Sequence, residues 1–333
     1  MAKAIALLSG GLDSILATRL ILDQGIEVGA VNFLTAFCNC TARGETCLAS
    51  KSAAASLGVD LKVFEVTSDY IEIVKAPKHG YGRNLNPCLD CRIFMFKKAG
   101  EYMKETNASF IVTGEVLGER PMSQRMDAMR IIEKESGLKG LIVRPLCAKL
   151  MEPTIPERDG IINREKLLNI QGRSRKPQIQ LAIELGVHDY PCPAGGCLLT
   201  YKGFADRMRD LMKYNPDFTV HDVKLLKIGR HFRLGPSSKL IVGRDEGENG
   251  KLSALAKGGD LHIKPVNVPG PTGIGRGSFD ADHINLSARI LLRYSDIPPD
   301  RYLEVEYRKI EEENGGRITA VAIKEEDLAA LRI

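Results

Sequence analysis

Between an apolar run, Ala4 to Leu8, and a stretch with apolar residues at helical spacing, Ile15 to Leu22, stands the polar hexad Ser9-Gly10-Gly11-Leu12-Asp13-Ser14. A buried strand that delivers a glycine-bearing loop to a helix N-terminus belongs to parallel α/β architectures. Such a loop is an anion site. Its two glycines allow close backbone approach, and the unpaired amides of the first helical turn carry partial positive charge. Phosphate is the expected guest, while a plain turn capped by Ser and Asp is the alternative left open by the local pattern.

Further strands are expected at 27–33, 61–66, 109–112 and 141–146, with helices at 48–57 and 92–104 between them. This alternation predicts a parallel, doubly wound α/β sheet whose ligands sit beyond the strand C-terminal ends. The hexad, the cysteines after the second strand and Thr113-Gly114-Glu115 all fall at that edge. From 151 to 216 the pattern is helical, with a basic turn at Arg173-Ser174-Arg175-Lys176 that suits either an RNA backbone or solvent. Beyond Asn215-Pro216, short strands, Gly/Pro turns and one helix at 284–294 predict a second, smaller α+β domain. The expected division is 1–150, 151–216 and 217–333.

Lys and Arg number 47 against 42 Asp and Glu, a mild basicity compatible with a polyanionic partner. With no Trp and 6% aromatic residues, RNA contact would lean on phosphates and shape. No uncharged run approaches the length of a membrane span and the first strand opens the chain, so a cytoplasmic protein without membrane association is expected. There, eight cysteines point to metal ligands or redox-active thiols rather than a disulfide framework. Cys88 and Cys91 lie in Asn86-Pro87-Cys88-Leu89-Asp90-Cys91-Arg92, just before a predicted helix. The helix dipole and Arg92 are expected to lower their thiol pKa. Cys197, after Pro191-Cys192-Pro193-Ala194-Gly195-Gly196, would complete a site with them. Cys38, Cys40 and Cys47 form a separate group, read either as structural zinc ligands with His79 or Cys192 as a fourth, or as inert or redox-labile thiols. Cys147 reads as packing.

The hexad resembles the SGGxDS signature of PP-loop ATP pyrophosphatases. Together with NPCLDCR and GGC it is similar to the tRNA thiolation branch of that family, where Cys91 and Cys197 occupy the positions of two cooperating cysteines. Thr113-Gly114-Glu115 through Ser123-Gln124 resembles the TG(D/E)xLGxxxSQ stretch of 4-thiouridine synthetases, with one extra residue. The resemblance covers residues 1 to 200. It implies an adenine nucleotide α-hydrolase-like sheet, ATP and Mg2+, and a reaction that adenylates a uridine carbonyl oxygen and replaces it with sulfur. Ser9, Gly10, Gly11 and Ser14 would hold the pyrophosphate, Asp13 would help position magnesium, and Asn32, Thr113 and Gly114 would join the nucleotide site. Two sulfur chemistries fit: a persulfide on one cysteine resolved by another, or a 4Fe-4S cluster on Cys88, Cys91 and Cys197 whose remaining iron takes sulfide. The intact CxxC with a distant third cysteine favours the cluster. The implied partners are tRNA and a sulfur donor, sulfide or a persulfide carrier. The sequence shows neither the RNA-binding nor the rhodanese-like domain of many 4-thiouridine synthetases. Cys88 stands where 2-thiouridylases commonly carry aspartate, which leaves the modified base open.

Val242-Gly243-Arg244-Asp245, Gly259-Asp260-Leu261-His262-Ile263-Lys264, Pro269-Gly270-Pro271 and the helix ending Arg293-Tyr294-Ser295 resemble, in order, the RNA-binding domain of NFACT proteins. The match departs at Asp245 and in lacking a tryptophan near His262. It implies RNA contact, with Arg244, His262, Lys264 and Arg276 expected to gather on loops beside a small sheet. Two rival readings are a PP-loop amidation or cyclisation on a small molecule, and a non-catalytic RNA-binding or iron-sulfur protein.

Overall fold

The computed structural model describes residues 2–39, 48–190, 196–296, 298, 300–312 and 315–333. The chain forms two compact units, Met1–Thr200 and Tyr201–Ile333.

The first unit contains β1 (Lys3–Leu7), α1 (Leu12–Leu22), β2 (Glu27–Leu34), α2 (Leu48–Leu57), β3 (Leu61–Glu65), α3 (Thr67–Lys75), α4 (Cys88–Glu105), β4 (Phe110–Thr113), α5 (Met126–Ser136), β5 (Ile142–Val143), α6 (Ile155–Arg158) and α7 (Lys176–Glu184). The five strands are parallel in the order β3-β2-β1-β4-β5. Strand side chains alternate between faces, so β1 serves two cores. Ala4 and Ala6 face a core with Leu12, Leu16 and Ile21 of α1 and Ala182 of α7. Ile5 faces Ile93, Phe96, Ala99 and Met103 of α4 and Ile132 of α5. The strand order reverses direction between β1 and β4, which opens a crevice at their C-terminal ends. The expected strand at 141–146 is cut to two residues because the chain leaves the sheet at Arg144, whose side chain enters a buried ion network. Helix α4 starts at Cys88, earlier than expected, and so carries both Cys88 and Cys91 in its first turn.

The second unit contains α8 (Lys202–Tyr214), α9 (Val220–Leu225), β6 (Arg230–Gly235), β7 (Ser238–Val242), α10 (Glu246–Leu255), β8 (Leu261–Pro265), β9 (Gly273–Gly277), α11 (Ala281–Arg293), β10 (Leu303–Lys309), β11 (Gly315–Ala320) and α12 (Glu325–Leu331). Its antiparallel sheet runs β11-β10-β8-β9-β7-β6. Ala288, Leu291 and Leu292 of α11 share a core with Phe232, Leu240, Ile263 and Val305. On the other face, Leu225 of α9 and Leu252 of α10 cover Ile241 of β7 and Ile274 of β9.

The expected helical segment 151–216 is therefore divided, because α8 belongs to the second unit. Asp210 of α8 pairs with Arg233 of β6 at 2.7 Å and Lys239 of β7 at 2.9 Å. Burial outweighs that carboxylate and takes Lys239 down to about 8. Asp210→Asn would leave two largely buried cations without their counter-charge, and chemical denaturation is expected to show a loss of about 3 kcal/mol. Lys239→Met in the same background should recover part of it. Among the described residues no helix is long and apolar enough to cross a membrane.

Candidate nucleotide and sulfur site

Beyond β1 the chain turns through Gly10 at φ +81°, the left-handed region. A Cβ on Gly10 would stand 2.5 Å from the Ala49 carbonyl oxygen and 2.6 Å from the Ser50 amide nitrogen of α2. Gly11 caps α1 in extended conformation. The Ser14 hydroxyl donates to the Gly11 carbonyl at 2.8 Å and lies 3.2 Å from the Ser9 hydroxyl, which accepts from the Gly11 amide at 3.3 Å. Both serines thus converge on the loop mouth. Asn32 donates to the Leu8 carbonyl at 2.9 Å, which fixes the strand exit.

Several buried polar atoms around this loop have no protein partner: Asp13 Oδ1, Asn32 Oδ1, Arg175 Nε and both amide atoms of Gln178. Buried polar groups are nearly always satisfied, so this cluster is where water, an ion or a polar ligand would be accepted. Burial pushes the Asp13 carboxyl up, while Arg175 and Arg120 pull it back. Glu119 is raised by its own burial and then by Asp13. Arg175, expected among the RNA contacts, therefore stands beside Asp13, whereas Arg173 and Lys176 are exposed. The tertiary reason is local: Gly172 donates to the Leu117 carbonyl at 2.8 Å, which holds the basic turn against the loop after β4. Glu119 and Arg120 fall at variable positions of the stretch from Thr113 to Gln124 and so are not singled out by it, and no spacing rule connects Gln178 with the hexad.

Thr113 and Gly114 take different parts. A Cβ on Gly114 would lie 2.5 Å from the Asp13 carbonyl oxygen and the Ser14 amide nitrogen, so β4 presses its bare backbone on the first turn of α1. The Thr113 hydroxyl accepts from Arg92 at 3.3 Å. Next to it Glu115, 2% exposed, lies between Arg92 at 2.7 Å and Arg144 at 3.0 Å, and Arg144 also holds Glu133. Burial alone would raise Glu115, but Arg92 and Arg144 outweigh it and hold the carboxyl below its ordinary range.

Arg92 follows Cys91, so this network ties the cysteines to the nucleotide edge. Cys91, Cys88, Cys38 and Cys197 lie within electrostatic reach of one another. The Cys88 thiol accepts from Asn86 at 3.3 Å. The segment bearing Cys197 is held by Leu85 to Leu199 at 3.2 Å and Asn84 to Thr200 at 2.7 Å. The expected lowering of the Cys91 pKa is reversed. Burial pushes this thiol up to about 11, against the opposing Tyr70 and Arg92, and the Arg92 guanidinium is itself engaged by Glu115. Cys197 is raised further, again by burial.

Cys38 stands opposite Cys197 in an antiparallel bridge; Cys40, Cys47 and Cys192, the other cysteines of the group read as zinc ligands or labile thiols, lie outside the described residues. His79 is occupied elsewhere, its ring 3.1 Å from Glu135 and its amide donating to Asp90 at 3.0 Å. Cys147 is fully buried and donates to the Glu115 carbonyl at 3.3 Å. Among the described residues no three His, Cys, Asp or Glu side chains are gathered for a single metal ion. A cluster spreads its ligands more widely. Three thiols within electrostatic reach of one another and partly exposed suit iron, whose charge would compensate their thiolates.

In the second unit Arg244 keeps its expected loop position, between β7 and α10, whereas the other three expected loop residues lie in strands. Arg276 lies in β9 and is locked by Asp222 at 2.8 Å and Asp260 at 2.6 Å. Arg244 is clasped by Glu248 at 2.9 and 3.0 Å. His262 and Lys264 lie in β8, and their neighbours across the ladder in β10 are Arg308 and Glu306. With Arg317 these line an open cleft of about 520 Å³. Burial, then Arg308 and Lys264, lowers the His262 pKa, consistent with a concentration of positive charge there.

Residues 1–156 match the family model described as Thiamine biosynthesis protein (ThiI), and residues 229–332 match NFACT protein RNA binding domain. The probable tRNA sulfurtransferase of Thermococcus kodakarensis is 31% identical over 153 residues, 43% of this chain and 36% of that protein. Its counterpart in Ureaplasma parvum is 31% identical over 150 residues, 44% and 37% of the two chains. The chain thus spans little more than a third of the length of these relatives. A solved 4-thiouridine synthetase–RNA complex with bound ATP aligns at TM-score 0.36 and 20% identity, over 56% of this chain and 52% of that one.

Proposed function

We propose that this chain, a ThiI-type PP-loop domain over residues 1–156 joined to an NFACT-type RNA-binding domain over residues 229–332, is a cytoplasmic, ATP-dependent sulfurtransferase acting on uridine in tRNA. The observation that carries the reading is the link from cysteine to nucleotide edge: Arg92, adjacent to Cys91, bonds Thr113 and Glu115, and Gly114 between them abuts Asp13 and Ser14. A uracil carbonyl oxygen is a poor leaving group. Attack of that oxygen on the α-phosphate expels pyrophosphate, and sulfur then displaces AMP. The loop amides with Ser9 and Ser14 hold the departing pyrophosphate, and Arg120 and Arg175 add positive charge where negative charge develops. The unpartnered Asp13 carboxylate oxygen suits magnesium, which would neutralise phosphate charge. A 4Fe-4S cluster on Cys88, Cys91 and Cys197 would supply an iron for sulfide.

The test is anaerobic incubation of the protein with tRNA, ATP and sulfide, read by nucleoside mass spectrometry and AMP release. A thionucleoside formed with AMP is expected, and Cys91→Ser should lose the thionucleoside while still binding ATP. If Cys91→Ser turns over undiminished, amidation or cyclisation of a small molecule takes the place of this reading. A colourless, iron-free protein with full activity would remove the cluster from it.

RNA contact is assigned to the open face of the second sheet, with Lys264 and Arg308 as phosphate partners: Lys264 pairs with Glu306 at 3.0 Å, but that pair is solvent-exposed and can exchange for phosphate, whereas Arg276 is locked by two buried acids. The tethered unit raises the local concentration of tRNA at the chemistry. Lys264→Glu with Arg308→Glu is expected to weaken tRNA binding and to reduce the slope of log affinity against log salt by roughly 1–2. Arg276→Glu, which breaks an internal network, should instead lower stability. An unchanged slope in the double variant would move the RNA surface elsewhere.

A further inference from the structure

Cys38 and Cys197 are directly opposed in an antiparallel bridge. The hydrogen bonds around them identify the type of pair. Leu198 donates to the Phe37 carbonyl at 2.8 Å and Asn39 to the Gly196 carbonyl at 3.4 Å. The bonds thus come from the flanking residues, and Cys38 and Cys197 form the non-hydrogen-bonded position. Such a position brings Cα atoms to about 4.5 Å with the side chains close, within the roughly 4.4–6.8 Å that a disulfide spans. Both residues carry thiols and both are partly exposed.

We propose that Cys38 and Cys197 close a reversible cross-strand disulfide that withdraws Cys197 from the sulfur site. The bond competes with any other use of Cys197, and its consequence for sulfur transfer rests on the proposed function. The oxidant is of the hydroperoxide class. The Cys38 sulfur, 3.4 Å from the Thr35 hydroxyl, attacks the peroxide oxygen, the O–O bond breaks, and a sulfenic acid forms with release of water or an alcohol. The Cys197 sulfur then attacks the sulfenic sulfur. The S–S bond forms, the S–O bond breaks, and the hydroxide leaves as water with the proton lost by Cys197. A dithiol of the thioredoxin class returns the two electrons and restores both thiols.

Cys88 and Cys91 are placed differently. They share the first turn of α4, where the Cys88 sulfur accepts from Asn86 and the Cys91 sulfur lies beside the Tyr70 hydroxyl. Neither faces Cys197 across a backbone ladder.

The experiment uses the full chain, reduced and iron-free, treated with hydrogen peroxide, alkylated and mapped by peptide mass spectrometry. A Cys38–Cys197 linked peptide is expected, with both thiols lost to alkylation together and recovered together on adding dithiothreitol. Cys88→Ser should keep the link. In Cys197→Ser, Cys38 should progress to sulfinic acid, and Cys197→Ala provides the same readout if the serine variant folds poorly. Linkage of Cys197 to Cys88 or Cys91, linkage of Cys38 to Cys40 or Cys47, or full alkylation of Cys197 after Cys38 is oxidised would overturn the proposal. Absence of a thionucleoside in the tRNA assay would remove the proposed function and leave this peptide map unaffected.

Discussion

Gly114→Ala is expected to abolish the proposed ATP-dependent thiolation while leaving the second unit folded. The added methyl would sit 2.5 Å from the Asp13 carbonyl oxygen and the Ser14 amide nitrogen. Neither atom can give way alone, because both belong to the first turn of α1 and Ser14 is tied to Gly11. Separating β4 from α1 shifts Asp13 and the two serines together. Misplacement of reacting groups by about 1 Å can cost on the order of a hundredfold in rate. Pyrophosphate release and nucleotide binding measured on the same variant should fall together. A variant with wild-type turnover would mean that the β4–α1 contact does not position the loop.

Glu115→Gln carries the largest expected stability cost in the first unit. It keeps the shape but leaves Arg92 and the fully buried Arg144 facing a neutral amide. Removing one partner of a buried ion network costs about 3–5 kcal/mol. The wild-type pH dependence has a definite sign. The folded Glu115 pKa lies below the ordinary 4.5, so its stabilisation is present above that value and is lost as pH falls through the folded pKa. Thermal unfolding followed from neutral into acid should show Glu115→Gln as less stable at neutrality and flatter with pH. Parallel curves, equally displaced, would assign the acid sensitivity to other carboxylates.

The PP-loop was readable because its parts are local. A strand, two glycines and a helix N-terminus follow one another in the chain, and backbone conformation alone brings Ser9 and Ser14 together. Thr113-Gly114-Glu115 was readable as an edge motif, but not the division of labour within it. That division depends on Arg92, Arg144 and the backbone of α1, which reach the motif from different elements. The cysteines show how local context misleads. A helix N-terminus and an adjacent arginine argue for an acidic thiol, yet burial raises Cys91 and Glu115 occupies the arginine. Cys38 sits near Cys40 in sequence and opposite Cys197 in space.

The sequence by itself determined the loop, the parallel sheet that bears it and the convergence of Cys88, Cys91 and Cys197 on one edge. It also indicated the change of architecture in the C-terminal part. Only the tertiary structure decided that Arg175 stands beside Asp13, that α8 belongs to the second unit, that Arg276 is locked in a strand, and that Cys38 faces Cys197. The physical reason is range. Propensity and periodicity act over a few residues, whereas burial, charge pairing and strand opposition are settled by whichever distant segment packs alongside.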